Sequence, residues 1–244
     1  MESEMTVRAG TAADIGELSA LLAEAFVLNP VAAWLVANVE NRYPTFLRTF
    51  EVELEQGLAH GIVRVAGNRE GVAIWQPYPM MLSTVTAHER EYLGAVGIYR
   101  RRFAHLWAAR DEHRAAALRL PAGPDDQVFG PGQTLGHELV CMAAAPWLRR
   151  KRIATALLAD HHGRLDAAGL AGHAVTDEEY VRDLLVRRGW RTPGPRHLSP
   201  AGPPLWSLRR DASAGPAGQA GSAGRGGRAG AGGSGATAAA GPGR

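Results

Sequence analysis

The 244-residue chain is poor in cysteine and lysine, with one of each, Cys141 and Lys151. A single cysteine excludes an internal disulfide framework and any cysteine-rich metal site, and it fits a reducing, cytoplasmic setting. No apolar run reaches the roughly 18–20 residues that span a bilayer, so no membrane association is expected. The start, Met1-Glu2-Ser3-Glu4, is acidic with no apolar segment behind it, so no secretory signal is expected. With one lysine, the remaining 26 of 27 basic residues are arginine, and the net charge is only +3. Ala, Gly, Pro and Arg are abundant together, the pattern that GC-rich codons produce. A raised arginine average without clustering on one face does not make a nucleic-acid surface.

Residues 211–244 have no Val, Ile, Leu or aromatic residue, and 23 of these 34 residues are Gly or Ala. Such a segment cannot bury enough apolar surface to offset its ordering entropy, so a disordered tail is expected after one domain over 1–210. Gly230-Ala231-Gly232-Gly233-Ser234-Gly235 matches GxGxxG, but neither a strand before it nor a helix after it is expected. Arg225 and Arg228 among glycines give the tail some likeness to an RNA-binding segment, which is the alternative of another functional class.

What remains is 45% hydrophobic over the whole chain and patterned like a mixed α/β domain. Met5–Ala9 reads as a strand. Thr11 and Asp14 form a capping box ahead of a helix with its apolar stripe at Ile15, Leu18, Leu21, Leu22 and Ala25. Asn29-Pro30 reads as a helix cap with proline at the first helical position. Helical patterning continues from Pro44 to Leu58, and Gly61 ends it. Ile62–Ala66 and Val72–Trp75 are strands separated by Gly67-Asn68. A helical stretch is expected near 87–120, then a Pro/Gly/Asp-rich loop to Gly132.

The most informative segment begins at Gln133. Leu139–Ala144 is a continuous apolar run, as in a buried central strand, and Pro146 stops it. The basic block Arg149-Arg150-Lys151-Arg152 follows, then an amphipathic helix from Ile153 to about Ala168, with Gly169 at its stop. Strand, basic loop and helix start together form an anion site, because the free amides and the positive end of a helix attract phosphate. No GxxxxGK[ST] is present, so a nucleoside-triphosphate loop is excluded.

This segment resembles the coenzyme-A loop of the GCN5-related N-acetyltransferase (GNAT) superfamily, Arg/Gln-x-x-Gly-x-Gly/Ala. It falls on Arg149-Arg150-Lys151-Arg152-Ile153-Ala154. Arg149 and Ala154 match the pattern, and Arg152 stands at the first glycine. The likeness extends over residues 5–210: the opening strand and helix, the middle strand at Gly71–Gln76, the strand at Ala171–Val175, the helix at Glu178–Arg188 with Gly189-Trp190, and a last strand at Leu205–Arg209. It is nearest to actinobacterial members of the puromycin N-acetyltransferase type, which carry a long helical insert between the third and fourth strands.

The resemblance implies a three-layer α/β/α fold with a mixed, mostly antiparallel sheet and a splayed cleft for acetyl-CoA, without a metal. It implies acetyl transfer to a primary amine of a small molecule by a monomer or homodimer. Met142, Ala143 and Ala144 would align the pantetheine by backbone bonds. Arg149, Arg150, Lys151, Arg152, Ile153, Ala154 and Thr155 would cradle the pyrophosphate. Glu138 on the fourth strand is the candidate proton acceptor. Asp177, Glu178 and Glu179 are expected as first-turn acids of the next helix. Family members often place a proton-donating tyrosine four residues before the glycine of Gly189-Trp190. Here that residue is Leu185, and Tyr180, five residues earlier, is expected to point elsewhere. Arg152 and Leu185 both favour the alternative of a non-catalytic acyl-CoA-binding protein. Of Trp34, Tyr43, Trp75, Tyr78, Tyr92, Tyr99 and Trp107, most are expected in the core.

Overall fold

A computed structural model describes residues 5–78, 90–119, 135–145, 152–199 and 202–213. Strand β1 (Val7–Ala9) leads into helix α1 (Ile15–Phe26), followed by α2 (Pro30–Leu35) and α3 (Val39–His60). The strands β2 (Ile62–Ala66) and β3 (Gly71–Tyr78) form a hairpin. Helical residues 90–96 and helix α4 (Arg100–Arg119) precede β4 (Gly136–Ala144). Helix α5 (Ile153–Ala168), β5 (Ala171–Thr176), α6 (Glu179–Val186), β6 (Pro195–His197) and β7 (Pro204–Arg210) complete the order. No described helix is long and apolar enough to cross a membrane. Tail residues 214–244 lie outside the described residues.

The local reasons follow from the sequence. Thr11 and Asp14 make the reciprocal capping box before α1. Asn29 caps α2, its side-chain oxygen accepting from the Val31 amide at 2.8 Å, with Pro30 at the first helical position. Helix α3 starts five residues before Pro44, because Asn38 caps it and Pro44 still falls within its first two turns. Helix α5 ends where expected, with Gly169 left-handed at φ 67°. The short strand β6, with every residue exposed, carries no apolar pattern and was not legible in the sequence.

The sheet has seven described strands in the order β1-β2-β3-β4-β5-β7-β6. All neighbouring pairs are antiparallel except β4 with β5. One face packs an apolar cluster beneath α1–α4, including Leu22, Phe50, Val65, Ile74 and Phe103. The other face packs Trp75, Leu139, Leu157, Leu185 and Trp190 beneath α5 and α6. This is the expected three-layer α/β/α arrangement.

Two details of β4 position the site. Its pairing with β3 runs the whole strand, from Gly136 opposite Tyr78 to Ala144 opposite Gly71. The register slips once, so that Val140 is an extra residue between Leu139 (opposite Trp75) and Cys141 (opposite Ile74). Its pairing with β5 is short, from Gly136 opposite Ala171 to Leu139 opposite Ala174. At the closed end Gly136 lets the strands approach, since a Cβ there would lie 2.2 Å from the Ala171 carbonyl oxygen.

Candidate functional site

Beyond Leu139 and Ala174, β4 stays on β3 and β5 stays on β7. The sheet therefore opens between two parallel strands, and the facing edge of β4 from Val140 onward has no ladder partner among the described residues. An unpaired strand edge inside a protein is a row of amides and carbonyls waiting for an extended ligand. A cleft of about 220 Å³ occupies the opening. Its near wall is Leu139–Ala144, its far wall Ala174–Glu178, and its end the start of α5, Arg152–Thr155. Met142, Ala143 and Ala144, the residues expected along the pantetheine, lie in this near wall.

Arg152 adopts the left-handed conformation, φ 58° and ψ 22°, directly before α5. That is the backbone geometry a glycine would supply, and an arginine holds it at a cost of about 1 kcal/mol. The first helical bond of α5 runs from the Ala156 amide to the Arg152 carbonyl at 2.9 Å. The amides of Ile153, Ala154 and Thr155 precede it, at the positive end of a helix 16 residues long. Arg188 donates to the Thr155 hydroxyl at 3.1 Å and adds a cation that the sequence reading missed. Arg149, Arg150 and Lys151 lie outside the described residues. The small near wall, the bare strand edge and the helix start fit a pantetheine-pyrophosphate ligand.

A second cavity, about 100 Å³, adjoins the cleft on the α1–α4 side. It shares Phe26, Asn29, Val140, Cys141, Val175, Thr176 and Asp177 with the cleft. Most of its wall is apolar, with Phe46, Phe50 and Phe103 among the contributors, and Glu53, Tyr92 and Arg110 lie in its lining. Of the aromatics singled out in the sequence, Tyr92 lines it, and the phenylalanines carry the rest.

The candidate base and its neighbours fall as follows. Glu138 is 3% exposed and lies below the opening, with the Arg110 guanidinium donating to its carboxylate at 3.1 Å. Glu138 lines neither cavity; Arg110 lines the smaller one. His137 turns to the opposite face, as strand alternation requires, with its Nδ1 2.9 Å from His161 Nε2. Burial lowers both rings, His161 to about 3, so the pair is neutral at pH 7. His162 points elsewhere, accepting from the Trp190 indole at 3.1 Å, and burial lowers it to about 4. The two adjacent histidines thus share no ligand. Cys141 is buried, and burial joined by the Glu53 charge pushes its thiol well up.

Two expectations are corrected. Asp177 does not begin the helix after β5. Glu178 occupies the cap position and Glu179 the first turn, while Asp177 turns to the start of α2. Its Oδ2 accepts from the Val31 amide at 3.1 Å and its Oδ1 from the Asn29 side-chain amide at 3.0 Å. Burial, aided by the Glu178 charge, raises it to about 6. Tyr180 also lines the cleft, because the first turn of α6 faces the opening; Leu185, fully buried, lines it one and a half turns later.

The same architecture occurs in solved structures. The histone acetyltransferase HPA2 and related acetyltransferase of Corynebacterium glutamicum superposes with a TM-score of 0.57 at 19% identity, covering 87% of this chain and 98% of that one. The fold is that of the GCN5-related N-acetyltransferases. Arylalkylamine N-acetyltransferase 2 of Aedes aegypti gives 0.55 at 11% identity over 86% and 100% of the two chains. Polyamine N-acetyltransferase of Drosophila melanogaster gives 0.53 at 13% over 85% and 100%. No family model and no curated protein matches the chain. The start of α5, at Ile153 and Ala154, is part of the segment on which the sequence resemblance rested.

Proposed function

We propose that the protein transfers the acetyl group of acetyl-CoA to a primary amine of a small molecule. One observation carries the reading. The parallel pair β4–β5 parts after Leu139 and Ala174, and the resulting cleft runs from a bare strand edge to the amides of a helix start. In this reading the edge at Met142–Ala144 holds the pantetheine. Arg149, Arg150, Lys151 and Arg152 and the amides of Ile153, Ala154 and Thr155 hold the pyrophosphate. Acetyl-CoA supplies an activated thioester at the junction of the two cavities, and the smaller cavity admits the amine. Glu138 fixes the Arg110 guanidinium against that cavity.

Calorimetry with acetyl-CoA and the folded chain tests the proposal. We expect binding in the micromolar range and thiol release on adding amines. No heat at millimolar ligand overturns it. Leu185 favours a second reading, in which the protein binds acyl-CoA without turnover: a leucine cannot protonate a departing thiolate. Binding without thiol release across an amine panel selects that reading.

A further inference from the structure

We infer that Asp177 binds the acceptor's ammonium and takes its proton, and that the small cavity selects primary amines on a compact apolar body. The inference rests on the acetyl-transfer reading and deepens it.

Seven residues line both cavities, and they mark where donor and acceptor ligands meet. Among these seven, Asp177 alone has a side chain that ionises below neutral pH; the other titratable one is Cys141, whose thiol is pushed up. Its hydrogen-bond partners at the start of α2 are neutral, the Val31 amide and the Asn29 side chain. Among the described residues no cation forms an ion pair with it. Two neutral donors orient the carboxylate and leave its charge uncompensated, and a half-buried charge in that condition favours a cationic ligand. Glu178 shares the Asn29 amide at 3.3 Å, so it adds negative charge on the same side.

Other titratable groups line the walls. Arg152 and Tyr180 stand in the cleft. Glu53, Arg110 and Tyr92 stand in the small cavity, and the Arg110 guanidinium also donates to Glu138 at 3.1 Å. Glu53 and Arg110 do not line the cleft, whereas Asp177 lines both cavities, so an amine that must reach the thioester places its nitrogen at the Asp177 end. The remainder of the cavity is apolar, with Phe26, Phe46, Phe50, Phe103, Leu35 and Leu106 in its wall. Its volume of about 100 Å³ is near the ~150 Å³ of an engineered cavity that takes benzene. One ring or a short alkyl chain fits; a second cationic end does not.

The proton balance is complete with these groups. The incoming R–NH₃⁺ gives one proton to Asp177. The freed lone pair forms the C–N bond to the thioester carbonyl carbon. The C–S bond breaks, its electron pair stays on sulfur, and sulfur takes a second proton from the nitrogen. Asp177 returns its proton to solvent through the open cleft, leaving amide, thiol and H⁺.

The test uses the full chain with ¹³C-labelled aspartate, Asp177→Asn assigning the signal, and phenethylamine as probe. We expect the Asp177 carboxyl to titrate near 6 and to shift when phenethylamine is added at pH 7. A carboxyl that titrates near 4, or is untouched by millimolar phenethylamine, overturns the inference. These readouts need only the wild-type protein once assigned, and they do not depend on acetyl-CoA. Calorimetry with acetyl-CoA judges the underlying reading separately. In turnover, Asp177→Asn should lower kcat/KM for phenethylamine by about 100-fold or more and erase its acid limb near pH 6. Retained rate with the same limb overturns the inference. Putrescine should be acetylated at least about 10-fold less efficiently than phenethylamine, from a second charge forced into an apolar wall; parity overturns the selectivity claim.

Discussion

Asp14 and Asp177 are both withdrawn from water at strand-to-helix junctions, and they behave in opposite ways. Asp14, 1% exposed, accepts from Arg8 at 2.8 Å through both oxygens, from Arg69 at 2.7 Å, and from the amide and hydroxyl of Thr11 at 2.9 and 2.8 Å. The Arg8 hydrogen bond, joined by Thr11 and Arg69, holds it well below the usual carboxylate range. Asp177 meets two neutral donors and a neighbouring carboxylate, and burial raises it to about 6. Burial pushes both acids the same way. The presence or absence of a guanidinium decides the outcome. One carboxylate is saturated and ties β1 to α1; the other keeps an unspent valence beside a cavity.

The largest effect should come from emptying the saturated site. Asp14→Ala leaves Arg8 and Arg69 facing each other and the capping box broken, and should cost about 3–5 kcal/mol in urea unfolding. A loss under about 1 kcal/mol would show the network to be ornamental. The pH signature has a defined sign. Asp14 has a depressed folded-state pKa, so its stabilisation is full above the unfolded value near 3.9 and is lost as pH falls below it. Asp14→Asn should flatten the stability curve on that acid side.

Next in size, the same exchange at residue 177 should separate activity from stability. Its folded-state pKa is raised, so its stabilisation is present below about pH 4 and declines as pH rises through about 6. Asp177→Asn should remove that decline and gain about 1–2 kcal/mol relative to wild type at pH 8, while turnover falls. A variant that loses stability at pH 8 would place Asp177 with Asp14 as a structural acid.

A third junction, β4 to α5, gives the smallest effect. Arg152→Gly removes a left-handed strain of about 1 kcal/mol and should raise the melting temperature by a few degrees. It should also tighten acetyl-CoA binding by opening the backbone to phosphate. Looser binding in calorimetry would mean that the guanidinium itself is a ligand.

Much of the fold was legible because it rests on local chemistry. The bounds of β2 and α5, the Thr11–Asp14 capping box, the Asn29-Pro30 cap and the stop at Gly169 all follow from residues within a few positions of one another. The cleft was legible in its near wall and its end, where small strand residues and a helix start lie close in sequence. Its far wall was not. Asp177 in isolation reads as a helix-opening acid, and its donors sit 146 and 148 residues earlier in the chain. The phenylalanines of the small cavity were hidden for the same reason: their helical spacing reports a buried stripe and not the hollow beside it. Tyr180 depends on how far α6 is wound at its first turn, which no periodicity fixes.

The extra residue at Val140 has a bearing on how such a site changes over time. Upstream of it, Leu139 belongs with Trp75 on the α5 side; downstream, Cys141 belongs with Ile74 on the α1 side. Removing that one codon would leave Leu139 and Cys141 adjacent and on opposite faces, where they already lie, so each chamber would keep its own lining and only the shared Val140 would be lost. The boundary between the chambers can thus be pared by one residue without disturbing the strand on either side.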